Sequence, residues 1–201
     1  MRSLIALFVL VPLLAATMLA SGCDSADSTS GSAAVRVLLT DFPFDIADEA
    51  NVTIERVELI RQDEGIVLLA AFDEPLAFNL LELQNGVTAI LAEAIVPGGV
   101  YNQLRIVVGR DAEVVLASGS EDEQRFGLRV PSGTETGIKI NLPQIVVDQE
   151  DGQIEIVADF NVEESFVVQG NQNTPAGISG FTFRPVLHLQ YLEVNGVVLV
   201  E

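Results

Sequence analysis

The chain has 201 residues, 10 basic against 29 acidic, a net charge of −19, one cysteine and one histidine. That balance excludes a general affinity for nucleic acid or anionic membrane surfaces, both of which need clustered Lys and Arg. One cysteine rules out an internal disulfide, and one histidine rules out multi-histidine metal sites, so the fold must be held by burial alone.

The chain opens with Arg2, then an uncharged apolar run from Leu4 to Ala20, then Ser21, Gly22 and Cys23. A basic end, an apolar stretch and small residues in that order make a secretory signal. An uncleaved membrane helix is the competing reading, since the run is near the lower spanning limit. Pro12 in mid-run and the small residues argue against it. Leu19-Ala20-Ser21-Gly22-Cys23 resembles the lipobox of bacterial lipoproteins, with Ala20 where a larger aliphatic residue is more usual. Residues 1–22 are therefore expected to be a lipoprotein signal peptide, with Cys23 the lipid-modified first residue of the mature protein. A plain secretory signal with an incidental Cys23 is the alternative. Removing residues 1–22 takes away only Arg2, leaving 9 basic residues against 29 acidic and a net charge of −20. Lys139 is the only lysine. Many carboxylates with almost no lysine suits work in high salt, where self-repulsion is screened to a few Å. Simple solubility is the alternative.

Residues 23–34 are expected to be a lipid-anchored flexible tether, because Asp24 to Ala34 (DSADSTSGSAA) contains no large side chain to bury. Such a segment spans roughly 18 Å. Residues 35–201 read as one β-sandwich domain. Apolar alternation marks strands at Val35-Val37-Leu39, Leu104-Ile106-Val108, Phe126-Leu128-Val130, Ile138-Ile140-Leu142, Ile154-Ile156-Ala158 and Phe181-Phe183. The phase slips between Val52-Ile54 and Val57-Leu59, which predicts a β-bulge near Glu55-Arg56. Phe78 to Gly86 predicts a single helical turn, capped by Asn79 and ended by Asn85 or Gly86. Turns are predicted at Pro97-Gly98-Gly99, Ser118-Gly119-Ser120, Glu150-Asp151-Gly152 and Asn195-Gly196. The last is a hairpin signal, because Asn-Gly accepts positive φ at both positions. Short strands separated by turns, without long helices between them, predict an all-β, single antiparallel sandwich of about ten strands.

Several local patterns then follow in a telling order. They are Leu39-Thr40-Asp41-Phe42-Pro43-Phe44-Asp45, Val52 to Leu59, Leu80 to Gly86, Pro97 to Arg105, Val130-Pro131-Ser132-Gly133, Gly137-Ile138-Lys139-Ile140, Asp159-Phe160, Ser165 to Val168 and Arg184-Pro185-Val186. Together they resemble the domain-of-unknown-function family 4382, carried mainly by bacterial lipoproteins, over about Val35 to Leu189. Val100 departs from the small or polar residue expected before the Tyr. The resemblance implies a Greek-key, transthyretin/immunoglobulin-like β-sandwich on the cell envelope, and brings no activity or catalytic residues.

Asp41, Asp45 and Asp48, with Glu49, crowd the loop after the first strand, and Asp159 could join them from another strand end. Calcium takes several carboxylate and carbonyl oxygens on such a loop. The bland alternative is that Asp41 and Asp45 accept backbone N–H bonds and fix the turn at Pro43. The acidic runs Glu121-Asp122-Glu123 and Asp148 to Gly152 read as solvated tips. His188, between Leu187 and Leu189, should point away from the core. Ser132 and Ser165 lack a nucleophile-elbow context. A carboxylate pair for glycoside hydrolysis is the low-ranked enzyme reading. With Tyr101 and Tyr191 the only tyrosines and no tryptophan, a stacking platform for sugars has no support.

The expectation is a non-enzymatic lipoprotein, extracytoplasmic and lipid-anchored to the envelope, with the outer membrane or cell surface favoured over the inner membrane. Its β-sandwich would serve a structural role or bind an unknown protein or glycan, with no cofactor. A calcium-dependent adhesion or glycan-binding module using Asp41, Asp45, Asp48 and Asp159 is the runner-up, and a hydrolase comes third.

Overall fold

The structure, a computed structural model, describes residues 31–41, 44, 46–63, 65–116, 124–129, 137–171 and 177–201. Residues 1–30, including Cys23, lie outside the described residues, as do Asp45, the tip Glu121-Asp122-Glu123 and Ser132. Among the described residues no helix is long and apolar enough to cross a membrane.

The chain is all-β. Sheet A runs in the order β12 (Val197–Val200), β11 (Leu187–Val194), β8 (Gly152–Phe160), β1 (Ser32–Asp41), β4 (Ala89–Pro97). Sheet B runs β3 (Ile66–Asn79), β2 (Ala47–Arg61), β5 (Gly99–Leu116), β6 (Gln124–Arg129). β7 (Ile138–Val147) shares the β6 edge of β5. It pairs along Gly99–Ile106, and β6 pairs along Asp111–Leu116. β9 (Phe166–Asn171) and β10 (Gly177–Phe183) form a small separate hairpin.

The predicted alternation becomes a core drawn from both large sheets. Val35, Val37 and Leu39 of β1 are buried, as are Leu104, Ile106 and Val108 of β5 and Ile154, Ile156 and Ala158 of β8. The phenylalanines of the hairpin fill one end. Phe166 and Phe183 lie 4.5 Å apart between ring centroids, and Phe181 meets Phe126 edge-on at 5.4 Å. Truncating a buried Leu here removes its transfer energy and leaves a cavity, about 2–5 kcal/mol.

The bulge falls where the phase slip placed it, with pairing irregular between Ile54 and Arg56 toward both β3 and β5. The helical turn is a 3-10 turn at Leu80–Leu83. The Asn79 side chain accepts from Leu81 N–H, and Asn85 and Gly86 follow with φ of 59° and 84°. Asn195 and Gly196 take φ of 52° and 79° and join β11 to β12.

One expectation needs correction. β1 pairs with β8 in parallel, Val35 opposite Ile154 and Asp41 opposite Phe160, so sheet A is mixed rather than wholly antiparallel. Strand alternation shows which side chains point inward, but the direction of a neighbouring strand depends on the long connection through sheet B. β1 also begins at Ser32, so residues 32–34 are strand although their composition read as tether. A second short helix, α1 (Val162–Ser165), was not predicted. Its cap was legible in the Asn161-x-x-Glu164 spacing, although Glu164 bonds the Asn161 side chain and not its backbone N–H, which donates to Val186 O. Asn161 Oδ1 accepts from Glu164 N–H at 2.9 Å, and Asn161 Nδ2 donates to Glu164 Oε1 at 3.1 Å.

Candidate functional site

The inward alternation of Val35, Val37 and Leu39 leaves Ala34, Arg36 and Leu38 on the outer face of sheet A. Register then aligns Arg36 with Glu93 of β4 and Glu155 of β8, and Glu155 with Glu193 of β11. Four adjacent strands therefore present one row, Glu93–Arg36–Glu155–Glu193. Arg36 Nε donates to Glu93 Oε1 at 2.8 Å, and its guanidinium lies 3.9 Å from Glu155 Oε2. Both partners of the closer pair are about half-exposed, which limits its contribution to under about 1 kcal/mol. Glu155 and Glu193 stand directly opposite each other, a like-charge arrangement that costs stability in a sheet. The Tyr191 hydroxyl donates to Glu193 Oε2 at 2.6 Å. That bond, and the carboxylates around it, push the Tyr191 phenol up to about 12.

This row lines a shallow groove of about 570 Å³, with Ala34, Ile95 and Gln153 beside it. Ile95 is 77% exposed. The groove offers carboxylate acceptors, one guanidinium and an apolar rim, held on strands rather than loops. A smaller groove of about 390 Å³ lies on sheet B, between Thr53, Asp111, Glu113 and Arg129.

Of the residues singled out for calcium, Asp45 lies outside the described residues, and Asp41, Asp48 and Asp159 do not form a cluster. Asp41 is buried at the end of β1, where Oδ1 accepts from Val162 N–H at 3.3 Å and Oδ2 from Gln84 Nε2 at 3.4 Å. It ties the strand end to α1 and to the residue after the 3-10 turn. Asp159 is level with Thr40, one position off Asp41 in the register, so the two project from opposite faces. Asp48 lies exposed on β2, with Glu49 beside it accepting from the Asn51 side chain at 2.9 Å. Among the described residues no group of three His, Cys, Asp or Glu side chains could hold a metal ion.

His188 points outward, as expected, opposite Asp159. Its Nε2 is 3.9 Å from Glu164 Oε2. Burial raises the Asp159 carboxyl above its usual range, His188 draws it back down and Glu164 raises it again. Ser165 is fully buried, and its Oγ accepts Val186 N–H at 2.9 Å, a structural use. Tyr101 is buried, with its hydroxyl donating to Pro97 O at 2.7 Å. Burial chiefly raises its phenol, with Arg61 opposing and Asp63 adding.

Two features carried no sequence signal. The Arg36 row needs the register of four strands. Glu58 is buried on sheet B, with Arg56 Nε at 2.9 Å from Oε1 and the Arg105 guanidinium on Oε2. Glu58 and Arg105 are cross-strand partners, 47 residues apart in sequence.

No curated protein matches the chain. Among solved structures it is similar to MbnP from Methylosinus trichosporium, at 11% identity over 63% of this chain and 75% of that one. The TM-score is 0.31, too low to carry an argument. Residues 32–175 match the model of the domain of unknown function DUF4382, more than half of the chain, and this protein therefore belongs to that family.

Proposed function

We propose that this chain is a non-enzymatic lipoprotein of the cell envelope, held by a lipid on Cys23, which binds a protein or glycan through the outer face of sheet A. The fold in this reading is a Greek-key, transthyretin/immunoglobulin-like sandwich. Exchange of the chain between sheets A and B at β1 to β2 and again at β3 to β4 supports it. The observation that carries the binding role is the Glu93–Arg36–Glu155–Glu193 row, built from four strands and left open to solvent. An open, shallow face suits a macromolecule better than a small substrate, which needs a concave pocket that buries most of its surface.

The anchor reading rests on the order Arg2, Leu4–Ala20, Ser21-Gly22-Cys23. β1 begins at Ser32, so residues 24–31 separate it from Cys23 and would span about 15 Å if unstructured. Ser32 N–H donates to Gln149 O at 3.0 Å, which sets the exposed acidic turn Asp148–Asp151 beside the chain entry, on the lipid side. Carboxylates there would hold the domain off an anionic surface, and the overall acidity fits a salt-rich habitat.

The test is mass spectrometry of the mature N-terminus with protease shaving of whole cells, and a photo-crosslinking residue at Glu155 in the same cells. A diacylglyceryl-modified Cys23, surface-exposed fragments and a discrete adduct from position 155 are expected. An unmodified N-terminus would refute the anchor. A crosslinker that yields no adduct at 155 would refute the binding face.

A further inference from the structure

Among the described residues, β12 ends sheet A and hydrogen-bonds on one side only, to β11. Exposed edges template pairing with other chains, and proteins blunt them with charge, proline or bulges. The other terminal strands of the two large sheets carry such devices. β4 has Glu93 and Pro97. β3 has Asp73-Glu74-Pro75, where its pairing with β2 jumps from Leu76 to Ala71. β6 has Arg125 and Arg129, and β7 has Lys139 and Pro143. β12 is Val-Val-Leu-Val, with neither charge nor proline. Its one irregularity lies on the paired side, between Leu192 and Glu193 of β11. Val197, Val198 and Leu199 are 58%, 46% and 44% exposed, and they alternate in direction, so both faces of the strand carry exposed apolar side chains, while Val200 packs against the core.

We propose that β12 is a self-pairing edge. A second copy of this chain docks antiparallel against it across a two-fold axis normal to the sheet, joining two five-stranded sheets into one of ten strands. A single added peptide would hand the open edge on to its own far side. A second copy closes both open edges at once, because the pairing is isologous and each sheet then ends on β4, with Glu93 and Pro97. Charge favours the same place. Two chains of net charge −19 repel, and this uncharged strand is where they can approach. One four-residue strand buries less than the roughly 800 Å² per partner of a standard interface, so the dimer is weak and concentration-dependent. Confinement to a membrane, which rests on the anchor reading of Cys23, raises the local concentration and favours the dimer.

The test uses the full chain in cells, with Val198→Cys and Leu199→Cys made singly and treated with a short bis-maleimide. Leu68→Cys on the guarded β3 edge, where Leu68 is 54% exposed, is the control. Dimer bands from both β12 variants and none from the control are expected. Lys introduced by Val198→Lys into the Leu199→Cys variant should abolish the band. Monomer from both β12 variants, or an adduct with a different protein, would overturn the proposal. The unsubstituted chain reports on Cys23 separately, because a dimer there would reveal a free thiol and sink the anchor reading alone. In that case, sedimentation of the purified unsubstituted chain under reducing conditions decides. Mass rising toward the dimer with concentration and salt supports β12 pairing, and a monomer throughout refutes it.

Discussion

Replacing Glu58 by Ala should destabilise the domain by about 2–3 kcal/mol, and the structure sets that range. The Glu58 side chain is 7% exposed and Arg105 only 17%, so removing the carboxylate strands a largely covered guanidinium. Breaking a fully buried pair costs about 3–5 kcal/mol. The pair sits on an outer sheet face, where water reaches Arg105 once the carboxylate is gone, which places the expected cost below that range. At about 2–4 °C per kcal/mol for a domain of this size, melting should fall by roughly 5–10 °C. Arg56 is 37% exposed, so Arg56→Ala should cost under about 1 kcal/mol. The double variant Glu58→Leu, Arg105→Met should recover most of the loss, because an apolar pair leaves no buried charge. Chemical denaturation in 0.1 M and 1 M salt measures all of these, and the Glu58→Ala cost should be nearly salt-independent. A loss below 1 kcal/mol, or one that vanishes in 1 M salt, would show that the pair behaves as a surface ion pair.

The same structure sets the outcome of other perturbations. Asp41→Ala leaves the buried Val162 N–H without its acceptor and should cost about 1–3 kcal/mol, while millimolar calcium should leave the melting temperature of the unsubstituted chain unchanged, since Asp41 and Asp159 face opposite ways. Absorbance titration should show Tyr191 ionising near pH 12 and Glu193→Gln bringing it down. Because that folded-state value is raised, the unfolded chain releases its proton first, so the stability Tyr191 contributes is intact below about pH 10 and is lost as pH rises from 10 to 12. Melting temperature should rise between dilute buffer and molar salt, since self-repulsion of the acidic chain is screened, and equal values would refute that account.

Local chemistry was readable from the residues themselves. Val35, Val37 and Leu39 had to face one way, Asn195-Gly196 had to turn with positive φ, the phase slip had to bulge at Glu55-Arg56, and Asn79 had to cap a short turn. His188 pointed outward for the same reason, because its neighbours Leu187 and Leu189 turn the other way. These are properties of a few consecutive residues, and alternation or φ preference decides them. Only the tertiary structure could decide that β1 lies parallel to β8, that Asp41 turns inward to Val162, that Arg36 meets carboxylates from two other strands, and that Glu58 is buried against Arg105. Each depends on pairing between residues dozens of positions apart, where the burial of the whole sheet, rather than any local preference, selects the register.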